Sequence, residues 1–137
     1  MQDERRFHAI AAIEKECLMG FVTYWTLEGF NYIEHLAVDK SSRRRGIGGD
    51  LVRLVSTLGQ TVLLEVEPPV DEPTRKRVAF YEGLGLVLHD DISYLQPPYG
   101  PGKPPVPLQL MTSPTMSAAS ILAAIPQLHR VVYRHMG

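Results

Sequence analysis

The stretch HLAVDKSSRRRGIGGDLVRLV, residues 35–55, decides the fold because the texture of the chain changes inside it. It opens as the end of an apolar strand and turns polar and basic at Asp39. It then passes through Gly46, Gly48 and Gly49 into Leu51, Leu54, Val55 and Leu58 at helical spacing, with Gly59 as the stop. Glycines permit positive φ and close backbone approach. Consecutive N–H groups at a helix start, with the helix dipole behind them, favour an anion such as a phosphate. Arg43, Arg44 and Arg45 add counter-charge at the mouth. A P-loop is excluded because no Lys-Ser/Thr follows the glycines. A dinucleotide fingerprint needs G-x-G-x-x-G after a first strand, whereas here G-x-G-G follows three strands. A ligand-free solvated turn remains open at this point.

Outward from this segment, residues 6–14, 17–27 and 30–38 read as strands, with turns at Glu14-Lys15-Glu16 and Glu28-Gly29. Together they predict an antiparallel meander. Residues 61–67 read as a fourth strand. Strand, loop, helix and strand in that order predict one parallel pair. Beyond Pro68, Pro69 and Pro73 lie an expected helix over 74–83 and a strand over 86–95. Residues 97–107 hold six prolines and two glycines, so regular pairing is not expected there. They read as a surface loop or as a rigid pocket wall with Tyr99 at its tip. A last strand over 108–112 precedes an amphipathic helix over 115–136, with Ile121, Ile125, Leu128 and Val132 on one face. Pro126 predicts a kink or a split into two helices. The expected class is α/β in the α+β sense: a mixed sheet in a single domain over residues 1–137.

The chain has 137 residues, 14 Lys plus Arg against 15 Asp plus Glu, and a net charge of −1. That excludes a generally basic nucleic-acid binder. At 45% hydrophobic and 21% charged it can build a core. Cys17 is the lone cysteine, which leaves no disulfide framework and suits a reducing, cytoplasmic setting. No apolar run reaches membrane-helix length, and MQDERRF does not read as a signal peptide. His8, His35, His89, His129 and His135 show no metal-pair spacing, so no metal site is expected.

Residues 35–55 resemble the acetyl-CoA-binding motif of the GCN5-related N-acetyltransferases (GNAT), whose pattern is Arg or Gln, two residues, Gly, one residue, Gly or Ala. Arg43, Gly46 and Gly48 match it in register, after Leu36-Ala37-Val38-Asp39. Residues 79–86, AFYEGLGL, resemble the family's second signature, and LLEV lies between the two as expected. The resemblance covers residues 6–112. It implies that backbone amides of Arg44, Arg45, Gly46, Ile47, Gly48 and Gly49 cradle the pyrophosphate of acetyl-CoA, with the arginine side chains assisting. It implies that Leu36, Ala37 and Val38 pair with the pantetheine arm, and that parallel strands splay around a bulge near Ala37 and Leu64-Glu65. A backbone N–H near Leu36 or Val38 would polarise the thioester carbonyl.

In the same resemblance Tyr81 protonates the leaving thiolate, and Glu34, on the strand before the loop, is the base, with Tyr32 the alternative. Strand parity groups Tyr32, Glu34, Leu36 and Val38 on one side and turns His35 away with Asn31, Ile33 and Ala37. Glu65 and Glu67 share a face and could assist an amine or hold a cation. Where the family often has an Asn, this chain has acidic and proline residues over 68–74. The family's opening strand and helices have no counterpart before residue 6. That implies a truncated chain, a subunit that covers the gap, or an open acceptor site. The expected activity is direct acetyl transfer to a small-molecule or peptide amine, without nucleic acid or membrane, and with a homodimer through the first strand's edge or the last helix. A CoA-binding module without acceptor chemistry and a binder of nucleotide or RNA phosphate remain alternatives.

Overall fold

The strand β1 (Phe7–Glu14) turns through Lys15 and Glu16 into β2 (Cys17–Leu27), whose β-branched and aromatic run suits a pleated surface. Gly29, at φ +88°, turns β2 into β3 (Phe30–Val38). The second and third strands have the boundaries that their sequence predicts. The structure, a computed structural model, describes residues 6–98 and 101–133. The chain forms two compact units, residues 1–62 and 63–137.

In the first unit, β1, β2 and β3 form the expected meander, and two irregularities shape it. Met19 is passed over between the pairs Ala12–Gly20 and Ile13–Leu18. On β3, Thr23 pairs with His35 while Tyr24 pairs with Ile33, so Glu34 is an extra residue, a β-bulge. Residues paired across strands share a face. Trp25 and Tyr32, Thr23 and His35, and Phe21 and Ala37 therefore lie on one face. Tyr24 and Ile33, Val22 and Leu36, and Gly20 and Val38 lie on the other. The helix α1 (Ile47–Ser56) covers that second face with Leu51, Val52 and Val55 buried. Gly20 makes the approach possible. A Cβ there would stand 2.8 Å from the Ala37 carbonyl oxygen and 3.4 Å from Ile47 Cγ2. Residues 40–45, expected as a loop, form a 3-10 helix. Gln60 closes the β2–β3 end by donating from Nε2 to Leu27 O, Phe30 O and Asn31 Oδ1 at 3.0–3.3 Å.

The strand β4 (Thr61–Val66) crosses into the second unit, which continues with α2 (Glu72–Gly83), β5 (Val87–Gln96), β6 (Val106–Thr112) and α3 (Ala118–Val131). Asp71 caps α2. Its carboxylate accepts from Thr74 N at 3.0 Å while Thr74 Oγ1 accepts from Asp71 N at 3.1 Å. That box explains why α2 begins before residue 74. β6 begins inside the proline-rich stretch, where Val106 and Pro107 pair with Gln96 and Leu95. Proline is tolerated at the start of a strand. Tyr99 and His135 lie outside the described residues. α3 runs through Pro126 as one helix rather than two. Pro126 and Leu122 are both exposed, so the carbonyl deprived of its partner faces solvent. The six strands form a mixed sheet in the order β1-β2-β3-β4-β6-β5, mostly antiparallel with one parallel pair, as expected.

Lys15 (φ 51°) and Glu16 (φ 67°) both occupy the left-handed region, the pattern of a type I′ hairpin built without its preferred residues. Replacing Lys15-Glu16 by Asn-Gly removes that cost. The expected gain is about 1 kcal/mol, read as a higher denaturation midpoint at unchanged slope.

Candidate functional site

The basic segment is organised from Asp39. Its side chain caps the 3-10 helix by accepting from Ser41 N at 3.1 Å and from the Ser41 hydroxyl. Those bonds hold the Asp39 carboxyl below its ordinary value, the hydroxyl's more than the amide's. A 3-10 helix spends its own N–H groups in i→i+3 bonds. The amides of Arg44 and Arg45 lie within it. Gly46, at φ +76°, then breaks the run and starts α1 with no side-chain cap. The first bond of α1 is Asp50 N to Gly46 O, 3.0 Å. The N–H groups of Ile47, Gly48 and Gly49 therefore precede the intrahelical ladder, and Gly48 and Gly49 are buried. Uncapped donors at a helix start fit a diphosphate.

The arginines divide. Arg45 Nη2 donates to Glu14 Oε2 at 2.6 Å, which raises the pKa of Arg45 and ties it to the end of β1. Arg43 is exposed. The expectation that all three arginine side chains serve phosphates meets a competing partner at Arg45.

Glu34 is not the solvent-facing strand carboxylate that parity alone permits. Its side chain is only 4% exposed. Trp25 Nε1 donates to Oε1 at 2.9 Å, and Oε2 is buried without a hydrogen bond among the described residues. The bulge also overturns the parity expectation for His35. Below the extra residue, Tyr32 shares a face with Trp25; above it, His35 shares that face with Thr23. His35 Nε2 comes to 3.8 Å from Glu34 Oε2, and its side chain is 59% exposed. The bulge expected near Ala37 and Leu64-Glu65 sits at Glu34 instead. Ala37 pairs regularly with Phe21, and Leu63–Val66 run in unbroken register against β6. Leu36 and Val38 are half-buried and Ala37 is exposed. Trp25 was invisible to sequence reading as a partner of Glu34, since only the register of β2 on β3 reveals it.

In the second unit, Tyr81 lies in the last turns of α2, half-buried, with its ring 5.1 Å from Phe80. Its carbonyl accepts from Leu84 N and Leu86 N, which fixes the Leu84-Gly85 turn. Burial raises the phenol's pKa, against a smaller opposing pull from Arg77. Glu65 is held by Tyr94, Gln96 and Tyr133, and His129 Nε2 lies 3.1 Å from the Tyr94 hydroxyl. Burial lowers the pKa of His129 more than Glu65 raises it. Glu67, exposed, pairs with Arg77 at 3.5 Å instead. His89 bonds Thr112 Oγ1 at 2.7 Å and His8 stacks on Tyr24. Sequence reading had no signal for Tyr94, Gln96 and Tyr133 as partners of Glu65.

The sequence model of the acetyltransferase (GNAT) family matches residues 1–86. The chain belongs to the GNAT family. A solved GNAT-family structure from Bacteroides thetaiotaomicron, named for acetyltransferase activity, is 35% identical. It superposes with a TM-score of 0.82 over 93% of this chain and 73% of that one. YjbC of Bacillus subtilis (strain 168), also named for acetyltransferase activity, is 40% identical over 58 residues, which is 40% of this chain and 30% of that one. An aminoglycoside 6′-N-acetyltransferase in complex with coenzyme A shares the fold at 21% identity and a TM-score of 0.54, over 79% of this chain and 72% of that one. GNAT acetyltransferases are acyl-CoA N-acyltransferases and use acetyl-CoA. No helix among the described residues is long and apolar enough to cross a membrane.

Gly46→Asp forces a side chain into a positive φ and sets a negative charge before the α1 amides. Calorimetry is expected to show coenzyme A binding weakened at least ~10-fold, about 1.4 kcal/mol, with the far-ultraviolet spectrum retained.

Proposed function

We propose that this protein transfers acetyl from acetyl-CoA to a primary amine by direct attack within a ternary complex. The observation that carries this reading is the uncapped start of α1 after Gly46, within a matched GNAT motif. The amides of Ile47, Gly48 and Gly49 would hold the diphosphate, with that of Gly46 beside them and Arg43 as counter-charge, while those of Arg44 and Arg45 belong to the 3-10 helix. The backbone of Leu36, Ala37 and Val38 would hold the pantetheine arm and polarise the thioester carbonyl.

Tyr81 is the acid. Its phenol must be neutral to donate, and burial favours the neutral form. A raised pKa keeps that form to higher pH, so the Tyr81 contribution is lost only as pH rises past the ordinary phenol value of about 10. Glu34 supplies the base function; its Oε2 is buried without a hydrogen bond among the described residues. Free Cys17, which pairs with Glu14 just after the β1–β2 turn, is exposed, and no covalent acyl-enzyme step is assigned to it. The same reading includes a cytoplasmic setting, where that thiol stays reduced. It also includes a homodimer through the edge of β1.

The test is thiol release from acetyl-CoA with a panel of polyamine, aminoglycoside, free amino acid and lysine peptide. Turnover with at least one acceptor is expected. Tyr81→Phe should lower kcat by roughly 100-fold while the KM for acetyl-CoA holds. Coenzyme A binding without turnover for any amine would instead favour a binding module.

A further inference from the structure

We propose that the base function of Glu34 runs through His35, whose imidazole takes the acceptor's proton while Glu34 orients it and stabilises the resulting imidazolium. This rests on the acetyl-transfer reading and names the route the proton follows.

The geometry sets the division of labour. Glu34 Oε1 accepts from Trp25 Nε1, and Oε2 is buried, which leaves the carboxylate itself poorly exposed to an acceptor amine. His35 Nε2, 3.8 Å from Oε2, belongs to a side chain that is 59% exposed. It meets both solvent and the buried oxygen. A separation of 3.8 Å is longer than a hydrogen bond. Base–orienter contacts of this kind tighten when substrate binds or a proton arrives. The bulge is what brings this about, because without the extra residue His35 would alternate away from Glu34.

On its own strand the pair shares this face with Tyr32, a titratable phenol that is buried. Phe7, Ala9 and Ala11 of β1 and Phe21, Thr23 and Trp25 of β2 bring it no charge. Phe7 packs edge-on against Trp25 at 5.1 Å and helps keep the indole donor in place. Thr23, opposite His35, has a buried hydroxyl without a hydrogen bond among the described residues. A neutral imidazole beside a buried carboxylate is the arrangement that stabilises imidazolium in hydrolytic dyads and triads. The proton count closes. A primary ammonium acceptor loses two protons as its C–N bond forms and the C–S bond breaks. One reaches the coenzyme sulfur by way of Tyr81, and the other passes to His35 and then to solvent.

The experiment uses the full chain and the best acceptor from the amine panel. His35→Gln is expected to lower kcat by roughly 100-fold, to leave the KM for acetyl-CoA unchanged and to shift the acidic limb of the pH profile. Added imidazole should partly restore His35→Ala but not Glu34→Gln. Unchanged turnover and pH profile in His35→Gln would overturn the route while acetyl transfer by the unaltered protein stood. So would a His35→Ala protein indifferent to imidazole. Failure of the unaltered protein with every amine would overturn the acetyl-transfer reading itself, before any variant was compared.

Discussion

Much of the first unit depends on one backbone dihedral, the φ of +76° at Gly46. The chain leaves β3 at Val38, tightens through the 3-10 helix capped by Asp39, and must then redirect into α1. A left-handed residue at that junction ends one helix and starts the next, with no side-chain cap on the new N-terminus. An L residue with a Cβ would pay roughly 1–2 kcal/mol there, and a capping side chain would compete for the donors a phosphate needs. Gly20 works at the opposite end of the same packing problem. It keeps β2 low enough for Ile47 to pass, so the start of α1 lies against the meander.

The β-bulge at Glu34 is the second constraint, and it concerns charge. Burying a carboxylate costs several kcal/mol unless its lone pairs are met. Trp25 meets part of that need at Oε1, and Oε2 is left facing a histidine that is not yet in hydrogen-bond range. A regular strand would have offered Glu34 one face and His35 the other; one inserted residue gives them the same side.

Long runs with a clear period were legible in the sequence. The meander, α1, β4 and the parallel pair follow from alternation, turn residues and the glycine stop, and the matched spacing of Arg43, Gly46 and Gly48 pointed to the family. Features set by tertiary register were not legible. Parity counting assumes an unbroken pleat, so it misassigned His35 once the bulge shifted the strand by one. The start of α2 moved because Asp71 and Thr74 form a capping box whose signal was hidden by the surrounding prolines. Pro126 broke no helix, because its lost bond falls on the exposed side. Arg45 read as a phosphate ligand by proximity to glycine, yet Glu14, distant in sequence, reaches its guanidinium.

The two strand carboxylates, Glu34 and Glu65, show why burial alone does not nominate a base. Glu65 accepts from Tyr94, Gln96 and Tyr133, so its anion is already well served. Those three donors occupy both of its carboxylate oxygens. Its pull on the His129 ring is outweighed by burial, which keeps that imidazole neutral as a hydrogen-bonding partner rather than a charge. The network therefore reads as a polar tie among β4, β5 and α3, whose members specify one packing arrangement. Glu34 has the opposite balance, with one donor, one orphaned oxygen and a solvent-facing imidazole nearby. Of the two, Glu34 is the one left with a buried oxygen that no hydrogen bond reaches among the described residues, and it is the one placed beside an exposed imidazole on the adjoining residue.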